Sequence, residues 1–418
     1  MNLLPPLRVL DLTRENGFLC GKILADLGCD VLKIEEPGGD PGRLQGPFYH
    51  NTPDPEKSLY WWAFNANKRG ITLNLETPEG RDLFVSLAEK ADFVIESFTP
   101  SYLDDLGLGY RALSKLNPGL VMTSITPFGQ TGPYARYKAT DLIGMAMGGI
   151  MYISGDHDRP PVRISYPQAW SHAALQASVG TMNAYYHRES TGRGQHVDAS
   201  MQLSVIWTQM NVTITWDISR MNTLRGGAVK TFSMVRDGKE QEVPVRYTWK
   251  CKDGYVTFLI VGAGPGIRVN QNLTEWMNSE GMGLELKDFD WASLGFVPSD
   301  PKTREMLERV IGAFFESHTV EELYDGAVAR RIWIAPVGTP SYQMVNPQLE
   351  ARGFWQEVFD PEIGETVIYP GWPIRQSESP VGPPRRAPHV GEHNREIYAG
   401  ELGLKPRDLS RLESVGVI

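Results

Sequence analysis

An α/β architecture built on a parallel, Rossmann-like sheet is predicted for the first half of the chain by three observations. Short runs rich in Val, Ile and Leu recur at residues 7–12, 31–35, 71–75, 93–98 and 120–125. Each reads as a short apolar strand. Helical stretches separate them, and strands alternating with helices close a parallel sheet.

Each element can be justified in order. LRVLDLT supplies the first strand, and ILADLGCDVLKIEEPGGDPGR supplies a helix followed by the second. The third run, within NKRGITLNLETPEGRDLF, leads into a helix at Pro78. Thr77 stands there as N-cap, and the proline occupies the first turn, where its missing N–H is harmless. ADFVIESFTPSYLDDLGLGY and LNPGLVMTSITPFGQTGPY carry the fourth and fifth strands. The turn after the first strand reads TREN before a single Gly17, so the dinucleotide fingerprint is absent and the sheet implies no NAD.

The composition changes between about Gly226 and Trp333. A polar RDGKEQEVP is followed by the strand-like RYTWKCKDGYVTFLIV and by helical runs over 302–318 and 320–330. APVGTP, from Ala335, reads as a return to the sheet-and-turn pattern of the first region. The run Gly262-Ala263-Gly264-Pro265-Gly266 imitates a dinucleotide loop, but its third glycine would fall on Ile267. A structural turn is the preferred reading, a catalytic loop comes second, and a nucleotide site last.

At 418 residues the chain is long enough for two cored domains, and its net charge of -9 argues against a nucleic-acid or anionic-membrane surface. No signal peptide or apolar run of spanning length is visible, so a cytoplasmic location is expected. Cys20, Cys29 and Cys251 are too few and too scattered for a zinc site or a disulfide framework, and read as buried thiols. No metal is expected.

The segment PVRISYPQAWSHAALQASVGTMNAYYHRESTGRGQHVDASM, with the blocks already quoted and with KATDLIGMAMGG, NPQLEARGF and GEHNREI, resembles the class III CoA-transferase family nearly end to end. Only residues 205–333 match loosely. The resemblance implies a large Rossmann-like domain made from 1–204 and 334–418, a linker and small domain over 205–333, and an interlocked dimer. It also implies a mechanism in which an Asp attacks an acyl-CoA thioester, forms a mixed anhydride, and then takes CoA as an aspartyl thioester. That Asp opens the helix leading into Arg188 and the block Thr191 to Ser200. Here the position holds Trp170.

An indole offers neither the oxygen nucleophile nor the leaving group that each step requires. Asp156 and Asp158 are the nearest upstream carboxylates, in a turn-like GDHDRPP, and a solvated turn is their simpler reading. His172 reads as a packing or surface residue. By the resemblance, Leu73, Phe98 and Lys138 would contact coenzyme A, and Ser97 replaces the family's asparagine. Glu36, Glu76 and Asp105 stand where basic residues would meet its nucleotide or phosphates, and like charges oppose that contact.

These substitutions imply a non-catalytic subunit in an interlocked heteromer with an Asp-bearing paralogous chain. The partner would hold CoA or acyl-CoA as substrate, and no tightly bound cofactor, nucleic acid or membrane is expected. The resemblance is strongest to the less conserved subunit of two-chain family members that move CoA between succinyl-CoA and aryl- or alkylsuccinates. Trp61, Trp62 and Trp170 suit an aryl substrate or plain packing. Three alternatives stay open: an active homodimer with a relocated carboxylate, a scaffold or regulatory protein, and a racemase, whose His and Asp would fall at Thr140 and Trp170.

Overall fold

The computed structural model describes residues 6–236, 239–378, 382 and 384–418. It forms two compact units, Met1–Ile150 with Ile164–Met210 and Pro347–Ile418, and Met151–Arg163 with Asn211–Asn346.

The first unit is organised by six parallel strands: β1 (Arg8–Leu12), β2 (Asp30–Glu35), β3 (Arg69–Thr72), β4 (Phe93–Glu96), β5 (Val121–Thr126) and β6 (His196–Ser200). Their order is β3-β2-β1-β4-β5-β6, the doubly wound arrangement that the alternating pattern predicts. Between them run α1 (Phe18–Asp26), α2 (Leu59–Asn65), α3 (Pro78–Ala88), α4 (Tyr102–Asp105), α5 (Tyr110–Leu116), α6 (Asp141–Met147), α7 (Ala169–Thr191) and α8 (Met201–Trp207). Thr77 caps α3 by accepting from the Gly80 N–H at 3.0 Å. Leu10, Leu32, Ile34 and Val94 pack with Phe84, Leu87 and Leu113 on one face of the sheet. On the other, α7 packs on β5, β6 and α1, and Thr123 and Thr181 pair their hydroxyls at 2.7 Å.

β3 and β4 end before the apolar runs that predict them. Past Thr72 the Leu73 N–H still reaches the Glu35 carbonyl of β2 at 2.7 Å, and from Asn74 the partner comes from the C-terminal segment, its N–H donating to the Val417 carbonyl at 2.8 Å. Past β4, the Phe98 N–H turns back to the Glu96 carboxylate at 2.7 Å, which takes Ser97 and Phe98 out of the sheet.

The polar side chains beneath the strand ends form a buried ionic lattice. Lys68 Nζ lies 2.8 Å from Asp11, and Arg43 clasps Glu35 with bonds of 2.6 and 2.8 Å. Arg43 also meets Glu56 at 2.8 Å and lies 3.8 Å from the Trp61 ring centroid. Burial pushes the Asp11 carboxyl up, but the Lys68 and Lys33 ammoniums and the Thr13 hydroxyl together hold it below the usual range.

After Met151–Arg163, the second unit resumes at Asn211 within α9 (Met210–Ser219), none of whose residues is buried. A hairpin of β7 (Val229–Arg236) and β8 (Lys239–Arg246) follows. Asp237 and Gly238, within the polar RDGKEQEVP stretch, lie outside the described residues. Next come β9 (Thr248–Lys250), β10 (Tyr255–Thr257), α10 (Pro265–Ser279), α11 (Pro301–Ser317), α12 (Val320–Arg330), β11 (Ala335–Pro336) and α13 (Pro340–Met344). Trp249, Phe258, Phe314 and Phe315 anchor the core of this unit.

APVGTP does not return to the first unit. Ala335 and Pro336 pair with β10 as the third strand of this small sheet, because Ile332 and Ile334 beside them belong to its core. The chain rejoins the first unit at Pro347, with α14 (Pro347–Ala351), the hairpin β12 (Trp355–Asp360) and β13 (Glu365–Pro370), and α15 (Pro406–Ser414). At the other crossing, α8 stays with the first unit by packing on α6 and α7, so the break falls after Met210 instead of after 204. Cys20, Cys29 and Cys251 are all buried free thiols.

Candidate functional site

In a doubly wound sheet the crevice lies at the carboxyl ends of the strands, where their order reverses. Here that point falls between β1 and β4. The segments leaving β1, β2, β3 and β4 bring Arg14, Glu36, Glu76 and Ser97 to it. Two cavities result, sharing Arg14, Asp40, Pro41 and Ser97.

The first, of about 450 Å³, is lined by Asn16, Tyr60, Phe64, Asp141, Tyr166 and Trp170. Ser97 fixes the turn after β1: it accepts from the Arg14 N–H at 2.9 Å and donates to Asn16 Oδ1 at 2.5 Å. Trp170 is the second residue of α7. The helix end beneath it is capped by Asp141, which accepts from the Gln168 and Trp170 N–H groups at 3.3 and 3.1 Å. A carboxylate at a helix N-terminus satisfies orphan donors and complements the dipole. Sequence reasoning missed Asp141, although KATDLIGMAMGG contains it.

The second cavity, of about 760 Å³, is lined by Leu73, Phe98, Glu36, Glu76, Asn74 and Tyr102. The structure therefore brings together four of the residues singled out for coenzyme A contact or its loss. Asp105 sits at the exposed end of α4 and Lys138 in the exposed segment before α6, and neither is among the lining residues. Arg14 is the one basic residue lining either cavity among the described residues, and its guanidinium is ion-paired with Glu36. The Tyr102 hydroxyl is likewise held, donating to Glu76 at 2.5 Å.

The carboxylates facing the first cavity are also engaged or perturbed. Asp40 accepts from the Gly42 N–H at 2.7 Å and lies 3.5 Å from Lys33. Burial, then the nearby Asp40, pushes Glu15 above its ordinary value. Glu96, the buried last residue of β4, is pushed up to about 7 by burial, although Ser124 and the Phe98 N–H favour its charged form.

The remaining sequence candidates have structural roles or stand apart from the cavities. Trp61 and Trp62 are buried in a cluster with Phe18 and Tyr369, and donate to the carbonyls of Pro388 at 3.1 Å and Glu56 at 2.8 Å. His172 is half-buried and lines neither cavity. Asp156 and Asp158 lie in the second unit, in a loop pinned by Arg225, whose Nε donates to the Asp156 carbonyl at 2.9 Å. Gly262 lies where a Cβ would come within 2.5 Å of the Gly295 carbonyl, so the glycine run is a tight approach into α10.

The TGRGQ block is explained by backbone geometry. Gly192 ends α7 at φ 71, and a Cβ on Gly194 would lie 1.8 Å from the Leu120 carbonyl oxygen. Arg188 anchors the same corner through Asp92 at 3.0 Å. No cluster of three or more metal-ligating side chains occurs among the described residues, and no described helix is long and apolar enough to cross a membrane.

The fold and the placement of these blocks agree with comparison to known proteins. The model of CoA-transferase family III matches residues 4–394. The chain belongs to that family. It is 34% identical to subunit BbsE of the succinyl-CoA:(R)-benzylsuccinate CoA-transferase of Thauera aromatica, over 98% of this chain and 97% of that one. It is 32% identical to the succinyl-CoA–D-citramalate CoA-transferase of Chloroflexus aurantiacus, over 96% of this chain and 94% of the relative. Among solved structures, a CaiB/BaiF family protein from Brucella suis superposes with a TM-score of 0.80 at 30% identity, covering 94% of this chain and 98% of its own.

Proposed function

We propose that this family III chain is a non-catalytic subunit of a heteromeric CoA-transferase that moves CoA between succinyl-CoA and an aryl- or alkylsuccinate-type acid. A paralogous, Asp-bearing chain would supply the nucleophile and hold the acyl-CoA. The observation that carries this reading is Trp170, an indole at the start of α7 facing a cavity next to the one lined by Leu73 and Phe98. Covalent transfer at that point needs a carboxylate oxygen that attacks the thioester and later departs.

Charge supports the same division of labour. Glu36 and Glu76 line the second cavity, where the resemblance would put the nucleotide, and tie up Arg14 and Tyr102, so a polyphosphate entering there would meet carboxylates in place of free donors. Exposed apolar surface supports an assembly. Leu175 and Val179 on α7 and Leu203 and Trp207 on α8 are 47 to 65% exposed, and α9 presents Ile214, Trp216 and Ile218. Surface of that kind marks an interface, and an interlocked partner would cover it. The 34% identity to BbsE, a CoA-transferase subunit, supports the choice of acid class.

The test is incubation of the purified chain with succinyl-CoA, followed by hydroxylamine and intact-mass analysis, in parallel with a co-expressed Asp-bearing paralogue. No adduct should form on this chain, and transfer should require both chains. A hydroxamate or CoA mass on this chain alone would refute the assignment and favour a relocated carboxylate, for which Glu15, Asp40 and Asp141 are the lining candidates.

A further inference from the structure

A third cavity, of about 290 Å³, lies in the first unit among Lys22, Arg352, Trp372, Arg375 and Gln376. Its charges are unbalanced. Lys22 is committed to Asp26, with Nζ 2.5 and 2.6 Å from the two carboxylate oxygens, and Asn67 donates to the same group at 2.6 Å. The guanidinium groups of Arg352 and Arg375 make no ion pair or side-chain hydrogen bond among the described residues. Trp372 Nε1 and Gln376 Oε1 are shielded from solvent without any hydrogen-bond partner.

The hairpin of β12 and β13 draws these groups together. The Gly371 N–H donates to the Phe354 carbonyl at 2.7 Å, which sets Trp372 beside the segment carrying Arg352. Gly353 has φ +58, and Arg375 Nη2 lies 3.5 Å from where its Cβ would be. A guanidinium and an indole N–H only donate, so whatever completes the cavity must accept. Two arginines select a planar or tetrahedral oxyanion through paired N–H groups, and an amide such as Gln376 can turn its NH2 toward the same ligand.

We propose that this cavity is an oxyanion site, in which Arg352 and Arg375 hold a carboxylate or phosphate group and the Trp372 indole gives a third bond. The group could come from a small anion or from an acidic side chain of an assembled partner chain. The chain labelled with 15N at tryptophan distinguishes these sources, with the Trp372 indole resonance assigned through Trp372→Phe. Inorganic phosphate and succinate are titrated at constant ionic strength against chloride.

A saturable shift of that one resonance, weakened about tenfold or more by Arg352→Gln or Arg375→Gln, identifies a free anion. A resonance already shifted in the co-purified assembly, together with poorer assembly of the double variant, identifies a partner's carboxylate. The proposal is overturned if neither anion moves the resonance beyond the chloride control and the double variant assembles like the unaltered chain. Both arginines are exposed, so their replacement leaves the fold intact.

Discussion

The carboxylates beneath the strand ends and those at the mouth of the crevice are a few residues apart in sequence but differ in kind. Glu35 is buried and clasped by Arg43, whereas Glu36, the next residue, has a side chain 64% exposed and holds only Arg14. Asp11 and Lys68 are fully enclosed, while Glu76 meets water and the Tyr102 hydroxyl. The enclosed charges are part of the fold, since removing one leaves its partner stranded in a low dielectric. The mouth charges carry little stability. The charges that hold the fold are thus separable from those that only face the crevice.

The largest test of that contrast is Lys68→Met. Loss of the ammonium should strand Asp11 and lower stability by about 3 to 5 kcal/mol, read from urea midpoints. A near-neutral result would mean that the lattice is as dispensable as the mouth.

Glu96→Gln sharpens the contrast through pH. The folded-state value is raised to about 7 from an ordinary 4.5, so the folded protein binds the proton more tightly than the unfolded one. Stability should therefore fall as pH rises from about 4.5 to about 7, by roughly 3 kcal/mol in all. Above that window the glutamine variant should be the more stable by a similar amount, and the two should converge at lower pH. Unchanged slopes in denaturation series across that range would count against the burial argument.

At the mouth, Glu36→Gln and Glu76→Gln should each shift stability by no more than about 0.5 kcal/mol. Each should strengthen coenzyme A binding by calorimetry, about tenfold for each donor released. An unfolded double variant would erase the distinction between the two sets of charges. Trp170→Asp should have the smallest effect of all: no transferase activity in the isolated chain. The helix end already carries the Asp141 carboxylate, and a second acid beside it is held toward its neutral form. Turnover by that variant alone would show the crevice to be one substitution from function.

Much of the sheet was legible because its strands are buried on both faces, leaving short Val, Ile and Leu runs between turns. The strand ends were less so, since Phe98 is as apolar as a strand residue but turns back to the Glu96 carboxylate, and the chain leaves β3 through Asn74, whose N–H goes to Val417. APVGTP was misread because a two-residue edge strand has no periodicity of its own. In the crevice, Trp170, Glu36 and Glu76 stood out against the family pattern. Asp141 did not, because its role is set by α7, which begins nearly thirty positions later. Nor could the sequence show that Trp61 and Trp62 spend their indole N–H groups on backbone carbonyls.

The bare surface of α9 has a consequence for how the protein is made. Ile214, Trp216 and Ile218 are 47 to 77% exposed on a helix that buries no residue. Chains synthesised in excess of whatever covers that helix would offer a sticky handle to chaperones, proteases and one another. Under the proposed heteromer, the scarcer of the two chains would then set how much usable protein a cell holds.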